Sequence, residues 1–128
     1  MKFRQFITSS GKLVLSGKDK KTNEELVRQA DKNNWVLHTK KKGSPFAEIK
    51  AEGKRVSKKD IKEAAIFIAK YSQDWKRNKK NVIVHYFKGK DIYKEEDMPI
   101  GTFGVKKYKE VLVKKEEIEK FENENPNR

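Results

Sequence analysis

At 128 residues, with 34% hydrophobic and 40% charged, this is one domain's worth of chain with a lean core; its thirteen aromatic residues argue against wholesale disorder. It has no cysteine, which excludes disulfides and thiolate zinc sites, and its longest apolar run, Ala64 to Ala69, is far short of the ~20 residues of a membrane span. The formal net charge is +13, and since residues 115–128 carry −2, the first 114 carry +15, a body that attracts polyanions.

The opening MKFRQFITSSGK is interrupted by Arg4, Gln5 and Ser9 and lacks a signal peptide's apolar core, so a cytoplasmic location is expected. Lys2 to Thr8 and Leu13 to Leu15 flank Ser9-Ser10-Gly11 and read as a hairpin. GKDKKTN (17–23) reads as a polar loop, and Thr22 with Glu25 has the spacing of a capping box opening a short helix to about Ala30. Trp35–Thr39 and Phe46–Lys50 read as paired strands around the loop 40–45. Ser57 and Asp60 cap a helix whose apolar face is Ile61, Ala64, Ala65, Ile68 and Ala69; the alanines would let it lie close to a sheet. Ser72 to Trp75 reads as the exit into a basic loop, 76–81, before the strongest strand, Val82–Phe87. Short strands follow at Ile92-Tyr93, Thr102–Val105 and Lys109–Val113, and residues 114–128 read as an acidic, partly disordered tail with room for a short helix before the fraying end 125–128. The order β-β-α-β-β-α-β-β-β-β implies one α+β domain, a largely antiparallel sheet of about six to eight strands with two helices.

The chemistry is sparse. His38 and His85 stand far apart in sequence without a metal-binding spacing, so each is expected to hydrogen-bond locally, and no metal or other cofactor is expected. Glu95-Glu96-Asp97 reads as a solvated loop; no phosphate-cradling glycine loop, nucleophile elbow or reactive cysteine is present, so the chain is not expected to be an enzyme. The basic runs are different. Lys18, Lys20 and Lys21 share one loop, Lys40, Lys41 and Lys42 follow a strand directly, and Lys76 and Arg77 lie in a third segment with Lys79 and Lys80. Lys58 and Lys59 stand at a helix N-terminus, where the macrodipole disfavours cations. An external anion would account for such placements. Tyr71 and Trp75 beside these charges would offer faces for base stacking; the plainer alternative is that Trp75 caps the core. Three functions remain open: an RNA-binding module, an RNA-processing enzyme (nuclease or modification) built on His38 or His85, and a domain that binds acidic proteins.

FRQF (3–6), GKDKKTNEEL (17–26), WVLHTKKKGSPFAEIK (35–50), EAAIFIAKYSQDWK (63–76), VIVHYF (82–87) and DMPIGTF (97–103) resemble, in order and spacing, the NFACT-R domain. That is the C-terminal RNA-binding domain of the ribosome quality-control NFACT proteins, and residues 1–113 look like a free-standing, archaeal-type version of it. Arg4, Gly17 with Lys18, Asn23, Trp35, His38, Gly43, Ser44, Ala64, Ala65, Ser72 and Gly101 match family positions; Asn33-Asn34 departs where many members carry an aspartate. The resemblance implies binding of tRNA or ribosomal RNA, beside the large ribosomal subunit, through Arg4, Lys18, Asn23, His38 and Ser44 together with the basic runs. His38 would then sit at a rim where a phosphate could hold it protonated. The N-terminal domain, helix-hairpin-helix and coiled-coil arm of full-length members have no counterpart in these residues, so the resemblance does not by itself imply tailing of stalled nascent chains.

Overall fold

The computed structural model describes residues 2–126. The hairpin β1 (Arg4–Ile7) and β2 (Leu13–Ser16) leads to α1 (Lys20–Gln29), then to β3 (Trp35–Thr39) and β4 (Ala47–Lys50). Next come α2 (Lys58–Lys70), α3 (Gln73–Asn78) and β5 (Val82–Lys88). A 3-10 turn, Gly89–Asp91, precedes β6 (Ile92–Tyr93), β7 (Gly104–Val105), β8 (Lys109–Val113) and α4 (Lys115–Glu124). Six strands form an antiparallel sheet in the order β1-β2-β4-β3-β5-β8, and β6 pairs with β7 in a small second sheet. This is the α+β architecture that the adjacent strand pairs imply.

Alternation along the strands gives the sheet two apolar faces. Leu37, Ala47, Ile49, Val82 and Val84 meet α2 and α4 on one side. Ala64, Ala65 and Ala69 are wholly buried in that contact, as small residues must be where a helix lies against a sheet. Val36, Phe46 and Phe87 meet Leu26 and Val27 of α1 on the other. Glu48 is also fully buried, and its charge is met on every side. Its oxygens accept from Gln29 Nε2 at 2.7 Å, the Asp31 N–H at 2.9 Å and Asn34 Nδ2 at 2.9 Å, and Lys50 Nζ lies 2.8 Å away. This cluster ties the end of α1 and the entry to β3 to the sheet.

The described residues form four α-helices rather than two. Ser72 does not lead into a loop; its Oγ accepts from the Trp75 N–H at 3.1 Å and starts α3, which ends at Lys79 in the left-handed conformation. Trp75 is the reason this short helix holds, since its ring is buried in the main core. The cap of α1 is Asp19, not Thr22: the Asp19 carboxylate accepts from the Thr22 N–H at 2.8 Å, while Thr22 Oγ1 accepts from the Asp19 N–H at 3.0 Å. Lys20 and Lys21 therefore open the helix. The acidic segment from Lys115 to Glu124 is not a loose tail but a helix with Ile118 and Phe121 in the core; Asn127 and Arg128 lie outside the described residues.

Candidate nucleic-acid interface

Strand alternation puts His38 on the α1 face of the sheet, and antiparallel register sets it directly opposite His85. The two histidines, separated by more than a third of the chain in sequence, become cross-strand neighbours on the floor of a groove of about 600 Å³. Four segments wall this groove: the start of β1, the β2–α1 junction, the β3–β4 loop with α3, and the chain from Ile100 to Val105.

Each wall is fixed locally. Ser44 Oγ accepts from the Thr39 N–H at 3.0 Å, Thr39 Oγ1 donates to the Lys41 carbonyl at 2.6 Å, and the Gln73 N–H donates to the Gly43 carbonyl at 2.8 Å. These bonds clamp the lysine loop against α3. At the β2–α1 junction, Asn23 Oδ1 accepts from the Phe46 N–H at 3.0 Å, and a side chain at Gly17 would run into Asn23. Gly101, at φ +82°, donates its N–H to Glu24 Oε1 at 2.8 Å and packs on the Lys20 backbone, where a Cβ would come within 3.1 Å. Burial works against the Glu24 charge, but the Gly101 N–H, Lys94 and Arg28 outweigh it and hold that carboxyl below the usual glutamate range.

The groove is strongly cationic. Arg4, Lys18, Lys20, Lys40, Lys42 and Lys76 line it, against Asp19 alone among acids. Asp19 is committed to its capping bonds, which hold its carboxyl below the usual range. The Arg4 guanidinium donates to the Gly17 carbonyl at 2.8 Å and lies 4.0 Å over the Tyr71 ring, so it is a strut as well as a charge. Lys40 has a loose partner, Glu110, at 4.0 Å; among the described residues Lys20, Lys42 and Lys76 have no carboxylate partner. Burial pushes His38 below the ordinary imidazole value, His85 adds to that, and Nδ1 lies 2.7 Å from the Thr39 carbonyl. In the free protein His38 is therefore neutral at pH 7, with Nδ1 the donor, rather than protonated.

Of the residues singled out in the sequence, the fold gathers Arg4, Lys18, Lys20, Asn23, His38, Lys40, Lys42, Ser44 and Lys76 around this groove. It leaves Lys21, Lys41 and Arg77 outside it, Lys41 reaching Asp74 at 3.5 Å. Lys58 and Lys59 stand at the far end of the 13-residue α2, about 20 Å from its Tyr71 end. Their position is made tolerable by the neighbouring Asp60 carboxylate, which completes a capping box with Ser57. Trp75 is 2% exposed and its Nε1 donates to Glu122 Oε2 at 3.3 Å, so it caps the core and presents no face for a base. His85, Gln73, Phe46 and Phe103 are groove residues that the sequence did not mark as binding candidates. Only strand register and loop packing bring them there. Among the described residues no group of three or more His, Cys, Asp or Glu is placed to hold a metal ion, and no helix is long and apolar enough to cross a membrane.

Comparison with known proteins agrees with this geometry. Residues 2–107 match the family model described as the NFACT protein RNA binding domain. Over 86 residues the chain is 35% identical to the archaeal Rqc2 homolog aRqcH of Methanocaldococcus jannaschii, a match covering 66% of this chain and 13% of that protein. In fold it is similar to the solved C-terminal part of the fibronectin/fibrinogen-binding protein of Streptococcus suis, with TM-score 0.81 at 22% identity, covering 94% of this chain and 49% of that one. The cationic groove thus sits in a chain that belongs to the NFACT protein RNA-binding domain family.

Proposed function

We propose that this chain is a non-catalytic module that binds tRNA or large-subunit ribosomal RNA in the cytoplasm, in the setting of ribosome quality control. The observation that carries this reading is the convergence of Arg4, Lys18, Lys20, Lys40, Lys42 and Lys76, from four chain segments, on one groove with a single, already bonded acid. Cations spread around an open groove suit the curved phosphate surface of a folded RNA better than one threaded strand. The likeness to an Rqc2 homolog supports the ribosomal setting. The test is a competition at fixed salt among tRNA, a duplex hairpin and an unstructured oligonucleotide with equal phosphate counts. The folded RNAs should displace best; equal displacement, or victory of the unstructured strand, would leave only a generic polycation.

The pairing of His38 with His85 favours a second reading, an RNA-processing site with a neutral imidazole beside a second one whose Nε2 lies 2.9 Å from Glu110 Oε2. Labelled tRNA and ribosomal RNA, incubated with and without divalent metal, distinguish the two. The binding reading expects no cleavage. Time-dependent cleavage that disappears in His38→Ala or His85→Ala would establish the enzyme.

A further inference from the structure

Tyr108 lies in the sequence Lys106-Lys107-Tyr108-Lys109, all four residues exposed. One face of its ring is stacked on His85, with centroids 4.0 Å apart and planes inclined by 18°. Yet the residue is 52% exposed, so the ring is held from behind and open in front. His85 is in turn fixed by Glu110 and lines the groove, so Tyr108 stands at the groove's margin. From there a row of rings runs inward. Tyr108 stacks on His85, His85 lies opposite His38, His38 lies 4.3 Å from Phe46, and Phe46 meets Phe103 edge-on at 5.6 Å. Glu110, which holds His85, also lies 4.0 Å from Lys40, so the groove's cations begin beside this pair of rings.

Lys106 and Lys107 precede Tyr108 in the chain, while the Lys109 ammonium lies instead by the Trp35 ring, 5.9 Å from its centroid. An aromatic ring preorganised by a partner, open on one face and set at the margin of a cationic groove, is what stacking on a nucleobase with phosphate contact requires. Resting on the RNA-binding reading, we propose that Tyr108 is the stacking platform for an unpaired nucleobase at an end or bulge of the folded RNA, whose backbone continues into the groove. Base identity contributes little, because every base offers a π-face.

The test uses two RNA hairpins of equal phosphate count, one blunt and one with a short unpaired 3′ overhang, and the full chain with Tyr108→Ala or Tyr108→Phe. Wild type should prefer the overhang. Tyr108→Ala should weaken overhang binding roughly tenfold, leave blunt binding nearly unchanged and keep the salt slope. Tyr108→Phe should bind like wild type. If Tyr108→Ala affects both RNAs alike or neither, or if Phe fails to rescue, the platform is wrong while the RNA-binding reading stands. If wild type binds neither RNA, the RNA-binding reading itself has failed.

Discussion

Asp60 shows how one carboxylate can organise a corner of this molecule. It is 1% exposed, yet its oxygens accept from Ser10 Oγ at 2.6 Å and the Ser57 N–H at 3.0 Å, with Lys12 Nζ at 3.3 Å. Burial alone would raise its pKa, but these donors prevail and hold the carboxyl well below the usual aspartate range. A folded-state pKa below the unfolded value of about 3.9 contributes stability that is fully present above that pH and lost as the pH falls through and below it. Asp60→Asn should therefore lower unfolding stability at pH 7 by about 2 kcal/mol and flatten the decline below about pH 4. Urea titrations of both proteins between pH 2 and 7 would check this. A variant curve parallel to wild type across that range would show that Asp60 is not the group responsible. The same residue explains why two lysines can open α2, a placement the sequence alone made look purposeful.

Among the elements, α4 has the least expected role. Its charge marks it as solvated, but Ile118 and Phe121 are three apart on one helical face, fully buried and 8% exposed respectively. Phe121 meets Phe6 at 5.6 Å and Phe67 at 6.2 Å, and Glu117 pairs with Lys62 at 3.2 Å. Glu117 also accepts from the Lys114 N–H at 2.8 Å, and Glu116 and Glu117 suit the positive end of the helix dipole. The helix covers the face of α2 that the sheet leaves open. Ile118→Ala should cost about 2–5 kcal/mol, the range for truncating a buried aliphatic side chain. The same variant should leave the salt dependence of RNA binding unchanged, because no residue of α4 lines the groove. Urea denaturation reads the first effect and salt titration the second. A loss below about 0.5 kcal/mol, the usual reach of a surface substitution, would mean that α4 is docked only loosely.

For the whole molecule, the distribution of charge matters more than its total. A net charge of +13 draws in any polyanion, but only the cations that share the groove can neutralise phosphates of one docked RNA. The logarithm of affinity should fall linearly with the logarithm of salt concentration, by about 0.7–0.9 per phosphate neutralised. Lys42→Ala should reduce the slope by up to about that amount, whereas Lys41→Ala, paired with Asp74, and Lys58→Ala, at the far end of α2, should reduce it much less. Three equal reductions would make the interaction diffuse charge and remove the groove as its seat.

The sequence by itself determined the class of fold, most of the elements along the chain and the attraction to a polyanion. Period-two strands, the Ser57–Asp60 cap, the alanine face of α2 and the clustered lysines are local signals, and local physics decides them. Tertiary structure decided which of those signals share a place. Register set His38 against His85, loop packing brought Lys42 and Lys76 together, and core burial withdrew Trp75 while leaving Tyr108 open. Helix α3 was hidden because a serine after a helix reads as an exit until a buried tryptophan three residues on makes it a cap. A short helix was legible in the acidic segment, but its docking was not, because charge outweighed two apolar residues in composition, though not in packing. Adjacency across strands depends on where the chain returns, and no short stretch of residues contains that information.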